Sequence, residues 1–318
     1  MSNEPLLPVQ RAAQLSTTGP QTQWLIEGLW AEQAVGIVGG EPKCCKSFLA
    51  LDMAISIASG APCLRQFPVR RQGSVLLFPA EDSLAVVRQR LEGIASAAGL
   101  SLSPLAIEVI TAPTLRLDLS TDRQRLANTV AAIKPILLIL DPLIRLHRVD
   151  ENDAGQIAGL LSFLRELQRQ FQLAVLVVHH ARKDSHGLRP GQSLRGSSEL
   201  HGWGDSNLYL RRRANQLTLS TEHRAAPSRD HIPLQLTQSE SAVALSIWTQ
   251  SAGPPSPAIS STTQRVRQVL AELQEPVTLT TLRKLCVMRT SSLCAALAEL
   301  TALGLIIRTD KGYQLKRP

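Results

Sequence analysis

The sequence predicts an α/β protein: a mostly parallel central sheet covered by helices on both faces, followed by a small helical domain that closes with a β-hairpin. Three observations carry that prediction. Short apolar runs at residues 34–39, 74–79, 107–110, 136–141 and 173–179 alternate with stretches of helical length and period. Strands apolar along their whole length are buried on both faces, as in parallel sheets built from strand–helix–strand units. After about residue 206 the texture changes to short alternating segments at 207–212, 216–221 and 242–248, expected as antiparallel strands at one sheet edge.

The elements fall into an order along the chain. Residues 1–23 are polar and interrupted by proline, and form an N-terminal extension. The folded core is expected over 24–248. Residues 249–260 are rich in Pro, Ser and Gly and carry no charge, the composition of a linker. Helix-period segments at 263–274, 280–286 and 290–303 come next, then 305–309 and 313–316 around the turn signal Asp310-Lys311-Gly312. Three helices and a hairpin over 261–318 have the layout of a winged helix.

Composition narrows the function. The chain has 318 residues, 44% of them hydrophobic, which excludes a mainly disordered protein. Thirty-four Lys and Arg against 26 Asp and Glu give a net charge of +8, which favours an anionic partner such as nucleic acid. Residues 261–318 hold nine of the basic residues and four of the acidic ones, so the small domain is disproportionately basic. No apolar run approaches the ~20 residues that cross a bilayer, and the first residues lack the layout of a secretory signal. A cytoplasmic protein without a membrane partner is expected. Five cysteines without a CxxC pair argue against a disulfide framework and against a zinc site.

The segment after the first buried strand carries the chemistry. Gly40-Glu41-Pro42-Lys43-Cys44-Cys45-Lys46-Ser47-Phe48 sits between a strand and a helical pattern closed by Gly60, the context a phosphate-binding loop requires. It matches GxxxxGK[ST] except that Cys45 stands where the second glycine should be. Backbone N–H groups of such a loop satisfy phosphate oxygens, with Lys46 on the β/γ-phosphates of ATP and Ser47 on Mg²⁺. Cys44 and Cys45 lie beside Lys46 at a helix start, surroundings that lower a thiol pKa, so either thiol is expected to react with alkylating reagents unless packing buries it.

Three further strand ends supply the rest of a phosphoryl-transfer site, at the carboxyl ends where α/β sheets bind ligands. Glu81 and Asp82 follow one strand; Glu81 suits polarisation of an attacking water, and Asp82 suits capping of the next helix. Asp141 ends an apolar strand in the Walker B manner, where a carboxylate joins Ser47 in holding Mg²⁺. His179 and His180 end a third, and one of them is placed to sense the γ-phosphate. Two loops are basic: Arg145, His147 and Arg148 in one, and Arg182, Lys183, His186, Arg189 and Arg195 in the other.

These strand ends, with the segments FLALDMA, FPAEDS, LLILDPL, VVHHARK and LRGSSELHGWGDSNLYLRR, resemble the RecA-like fold, and more closely the RepA/DnaB-type hexameric helicases and related AAA-family ATPases of plasmids and mobile elements. The resemblance covers about residues 24–248. It implies a homo-oligomer, most simply a hexamer, with catalysis by Lys46, Glu81 and His179 (or His180). Single-stranded DNA would lie on the two basic loops, through Arg145, Arg148, Lys183, Arg189 and Arg195. It also implies an arginine acting on the neighbouring subunit's ATP; Arg224 occupies the matching place on an edge strand, with Arg195, Arg211, Arg212 and Arg213 as alternatives. The expected function is an ATP-dependent motor on DNA, a RepA-like helicase. The alternatives are an ATP-switched DNA-binding or regulatory protein and a recombination mediator. The winged helix is expected to hold duplex DNA or a protein partner.

Overall fold

The computed structural model describes residues 9–14, 23–151, 153–181, 199–213, 216–238, 242–248, 261–273, 275–286, 288–302, 305–309 and 312–316. The chain divides into two compact units, Met1–Thr249 and Gln250–Pro318.

In the first unit a two-stranded antiparallel ribbon, β1 (Trp24–Ile26) and β2 (Trp30–Ala31), precedes a nine-stranded sheet. The chain runs β3 (Val35–Gly40), α1 (Lys46–Ser59), β4 (Val75–Pro79), α2 (Leu84–Ala97), β5 (Ile107–Val109), α3 (Ser120–Ile133), β6 (Leu137–Asp141), α4 (Ala154–Phe171) and β7 (Ala174–His180). It continues with α5 (Glu199–Trp203), β8 (Ser206–Arg213), β9 (Gln216–His223), β10 (Arg229–Gln238) and β11 (Val243–Ile247). Strand order is β11-β10-β9-β8-β3-β7-β6-β4-β5. From β8 to β5 every pairing is parallel; β9, β10 and β11 are antiparallel additions at the β8 edge.

The period of two along each strand splits the core into two layers. Val38, Leu77, Ile139, Leu176, Val178, Leu208 and Leu210 face α1 and α2, where they pack on Leu49, Met53, Ile57 and Leu91. Ile37, Leu76, Phe78, Leu138, Leu140 and Val177 face α3 and α4, against Leu126, Val130, Leu160 and Leu164. Gly36 permits the tightest of these contacts, because a Cβ there would fall 1.7 Å from the Ser206 carbonyl oxygen.

Helix ends follow their local chemistry. α1 stops at Gly60, whose φ of 80° only glycine adopts freely, with its N–H on the Ser56 carbonyl. Asp153 caps α4, accepting from Gly155 N at 2.9 Å and Gln156 N at 3.1 Å. Ser83, and not Asp82, caps α2 by accepting from Val86 N; Asp82 is engaged instead by Arg90. Asp52 of α1 is buried and accepts from Leu64 N at 2.7 Å and from Arg65 at 2.6 Å, which ties the helix to the loop that follows it.

Strand β10 was not anticipated. Its sequence, RDHIPLQLTQ, is polar and contains Pro233, and most of it is exposed. A register shift between Arg229 and Ile232, with His231 at φ 58°, marks a bulge. The strand is recruited by partners on both sides, not by its own pattern.

The second unit comprises α6 (Ser261–Glu272), α7 (Leu279–Cys286), α8 (Thr290–Ala302) and an antiparallel pair, β12 (Ile306–Thr309) with β13 (Gly312–Leu315). Its core is built from Val266 and Leu270 of α6, Leu282 and Cys286 of α7, and Leu293, Ala296, Leu297 and Leu300 of α8. The spacing within α8 is i, i+3, i+4, i+7, which puts the Leu/Ala side inward.

Candidate active site

The loop between β3 and α1 turns through two left-handed residues, Lys43 at φ 65° and Cys45 at φ 66°, ψ 26°. A non-glycine residue there costs about 1–3 kcal/mol, and Cys45 accepts that conformation in the place where glycine is usual. Gly40 lies at φ 154°, and a Cβ on it would meet the Leu210 carbonyl oxygen at 2.3 Å, so β8 presses directly on the start of the loop. Cys45 is the N-terminal flanking residue of α1 and makes no side-chain cap, leaving the first N–H groups of the helix to other acceptors.

Lys46 is 5% exposed, and its ammonium donates to the carbonyls of Gly40 at 2.9 Å and Glu41 at 2.8 Å. Burial lowers its pKa, opposed by the charges of Cys44, Asp141 and Glu81. A buried ammonium held on loop carbonyls, beside an uncapped helix start, fits a polyphosphate. Cys44 behaves oppositely to the expectation of a reactive thiol: it is buried, and burial pushes its pKa up to about 11. Cys45 is partly exposed, and its Sγ accepts from Arg212 Nη2 at 3.5 Å.

The carboxylates converge because their strands are neighbours in register. Pro79 of β4 lies opposite Asp141 of β6, and Glu81 and Asp82 follow two and three residues later. Asp141 has its pKa raised to about 6 by burial, with Asp82 and Glu81 adding to the rise and Ser47 and Lys46 opposing it. A hydroxyl and a carboxylate lining the same cleft beside the phosphate loop fit the first shell of Mg²⁺. Glu81 accepts from Arg145 Nε at 2.8 Å. Lys46, Ser47, Glu81, Asp141, Arg90 and His180 line one cleft.

Six of the expected site residues are placed differently or fall outside the described residues. His180 faces the cleft with Val178, whereas His179 is on the opposite side of β7, buried, with Nδ1 3.8 Å from Glu151 Oε1. The parity of a strand sends adjacent residues to opposite faces, so only one of the pair reaches the α1 side. Arg224 lies just past the carboxyl end of β9, which runs antiparallel to β8; this is the end of the sheet away from the phosphate loop, where Arg224 is held by Asp205 at 3.3 Å and by the Gly202 carbonyl at 3.1 Å. Arg145 is paired with Glu81, while Arg148 is exposed. Lys183, Arg189 and Arg195 lie outside the described residues.

Arg90 had not been singled out. It sits on α2, pairs with Asp82, and places its guanidinium 5.1 Å from the centre of the Phe48 ring. The signal was the Asp82 to Arg90 spacing, which sets the arginine two turns into the helix that Ser83 caps. Phe48 contributes its ring to the cleft; Gly40 and Glu41 contribute carbonyls, and Pro42 makes the turn between them and Lys43.

Residues 2–186 match a family model described as an AAA domain, which takes in more than half of the chain. The chain belongs to the AAA domain family. Among solved structures, that of a DnaB-like replicative helicase, described with its interactions with primase, matches with a TM-score of 0.51 over 67% of this chain and 57% of that one, at 16% identity. At that identity the likeness is one of fold, and this AAA protein spans little more than half the length of that helicase. The resemblance in fold agrees with the large, mostly parallel sheet and with the phosphate loop at the carboxyl end of β3.

Proposed function

We propose that the protein is an Mg²⁺-dependent ATPase that works as an oligomeric motor on DNA, a RepA-like DNA helicase. The observation that carries this is the meeting of Lys46, Ser47, Glu81 and Asp141 in one cleft of an AAA domain. In this reading the loop N–H groups and Lys46 bind the phosphates, Ser47 and Asp141 hold Mg²⁺, which neutralises phosphate charge when bound, and Glu81 orients the attacking water. His180 takes the sensing role at the end of β7. Hydrolysis at an interface of a hexamer requires an arginine from a neighbour, and Arg224, whose side chain is more than half exposed, remains available to it at the far end of the sheet.

Single-stranded DNA is assigned to the loop that carries Arg145 and Arg148 and to the loop that carries Lys183, Arg189 and Arg195. With no aromatic residue in either loop, contacts would be to phosphates and tolerant of sequence. The domain boundaries proposed are an extension at 1–23, the ATPase core at 24–248, a linker at 249–260 and a winged helix at 261–318. The outward residues of α8, Ser292, Cys294, Ala295 and Ala298, carry no charge, while Arg283, Lys284 and Arg289 are exposed around its start. That distribution favours phosphate contacts over base reading, and leaves the outer face of α8 for a protein partner. Among the described residues no helix is long and apolar enough to cross a membrane.

The second reading is an ATP-switched DNA-binding or regulatory ATPase of a mobile element. The Arg145–Glu81 contact favours it, because a base held by an arginine turns over slowly. Strand displacement on a forked duplex, measured with ATP and with a non-hydrolysable analogue, separates the two: unwinding that requires hydrolysis supports the motor, and ATPase activity without unwinding supports the switch.

A further inference from the structure

We propose that Arg212 contacts the terminal phosphate of a triphosphate bound in its own subunit, a cis role in the ATP site assigned above and resting on that assignment. β8 pairs parallel with β3 in the register Val38↔Leu208, Gly39↔Tyr209, Gly40↔Leu210. Both strands therefore run toward the same end of the sheet, and Arg212 emerges two residues past the start of the phosphate loop. Leu208 and Leu210 face the α1 layer, and the period of two puts Arg212 on that face as well.

Contact geometry agrees with the parity. Arg212 Nη2 is 3.5 Å from Cys45 Sγ, and Cys45 is the residue that flanks the α1 N-terminus. The approach is held rigidly, since the Leu210 carbonyl is packed so closely on Gly40 that no side chain fits between them. Arg211 departs from this placement: with Tyr209, Thr218 and Ser220 it lines a pocket on the other side of the strand. Arg224, the arginine anticipated from the sequence, is at the far end and bound to Asp205.

The chemistry gives Arg212 a better partner than the one it has. A thiol sulfur is a weak acceptor, whereas a guanidinium makes paired, charge-assisted hydrogen bonds to phosphate. Arg212 is exposed, and so has room to pivot from sulfur to an adjacent anion. The cysteine in the glycine position then has a physical role: its thiol holds the Arg212 guanidinium next to the N-terminus of α1, the end of the helix that favours anions. Lys46 and Arg212 would approach the polyphosphate from different elements, one from α1 and one from β8.

Binding of fluorescent ATP and ADP analogues to full-length Arg212→Ala, Arg212→Lys and Arg211→Ala tests this. Arg212→Ala is expected to lose ATP affinity by about 10- to 100-fold, the loss of one charge-assisted contact, with ADP affinity within about twofold. Arg212→Lys recovers part of the loss, and Arg211→Ala keeps the ATP-to-ADP ratio. Mixing Arg212→Ala with Lys46→Ala protein gives no recovery of hydrolysis, because both lesions fall in one subunit's site. Recovery in the mixture would make Arg212 a trans residue, and equal loss of ATP and ADP affinity would make it a structural support; either overturns the proposal. Wild-type protein that binds neither nucleotide would instead overturn the ATP site itself.

Discussion

Arg145 Nε lies 2.8 Å from Glu81 Oε1, so an arginine expected on nucleic acid is hydrogen-bonded to the carboxylate expected to orient water. Both side chains are substantially exposed, at 62% and 42%, and a phosphate of bound DNA can compete for the guanidinium. Arg145→Ala is predicted to raise DNA-independent hydrolysis by up to about fivefold, the worth of an exposed ion pair, and to reduce the stimulation by single-stranded DNA. Steady-state ATPase rates with and without oligonucleotide check this; an unchanged ratio would separate the pair from DNA coupling.

Asp141 is predicted to cost the nucleotide-free protein stability. Its pKa of about 6 lies above the ordinary carboxylate value because burial disfavours the charged form. The penalty is fully present above about pH 6 and disappears as pH falls toward the unfolded value. Asp141→Asn should therefore melt a few degrees higher than wild type at pH 7.5 without Mg²⁺, the gap narrowing toward pH 4, while hydrolysis is lost. Melting curves at several pH values read it directly, and a variant less stable at pH 7.5 would refute it.

Cys45→Gly should remove the left-handed strain at φ 66° and stabilise the protein by about 1 kcal/mol. Alkylation followed by mass spectrometry is expected to label Cys45 and the exposed Cys294 but not Cys44 or Cys63, which are buried and whose pKa values are raised by burial. MgATP should protect Cys45 alone. Labelling of Cys44 ahead of Cys45 would contradict the loop geometry.

The sheet was legible because parallel strands buried on both faces appear as unbroken apolar runs; each of the five anticipated runs became a strand, displaced by a residue or two at its ends. The phosphate loop and Asp141 were legible for the same reason, since they sit where such runs stop. What escaped depends on contacts between distant segments. Parity within β7 was plain, but which parity faces α1 is fixed only by packing, so His179 and His180 stayed unresolved. Arg224 follows an edge strand in the sequence, but only the β8–β9 pairing shows that it lies at the end of the sheet away from its own phosphate loop. Arg90 becomes a cleft residue only once α2 is laid against the loop. β10 carries Pro233 and an exposed polar surface, so no local signal marked it.

Removal of residues 261–318 is predicted to leave ATP hydrolysis within about twofold and to weaken binding of duplex DNA or a protein partner, because the second unit has its own core of Val266, Leu282, Leu293 and Leu297. Parallel ATPase and filter-binding assays on the truncated chain decide the point. An inactive but folded truncation would mean that the C-terminal unit takes part in hydrolysis.

ATP hydrolysis by purified full-length protein, with and without Mg²⁺ and single-stranded DNA, compared with Lys46→Ala and Glu81→Gln, is the most direct measurement. Wild type should hydrolyse ATP only with Mg²⁺ and faster with DNA, Lys46→Ala should neither bind nor hydrolyse it, and Glu81→Gln should bind ATP at near wild-type affinity while turning over at least about 100-fold more slowly. Hydrolysis that survives in both variants, or Glu81→Gln turning over at the wild-type rate, would contradict the assignment of this cleft as the ATPase site.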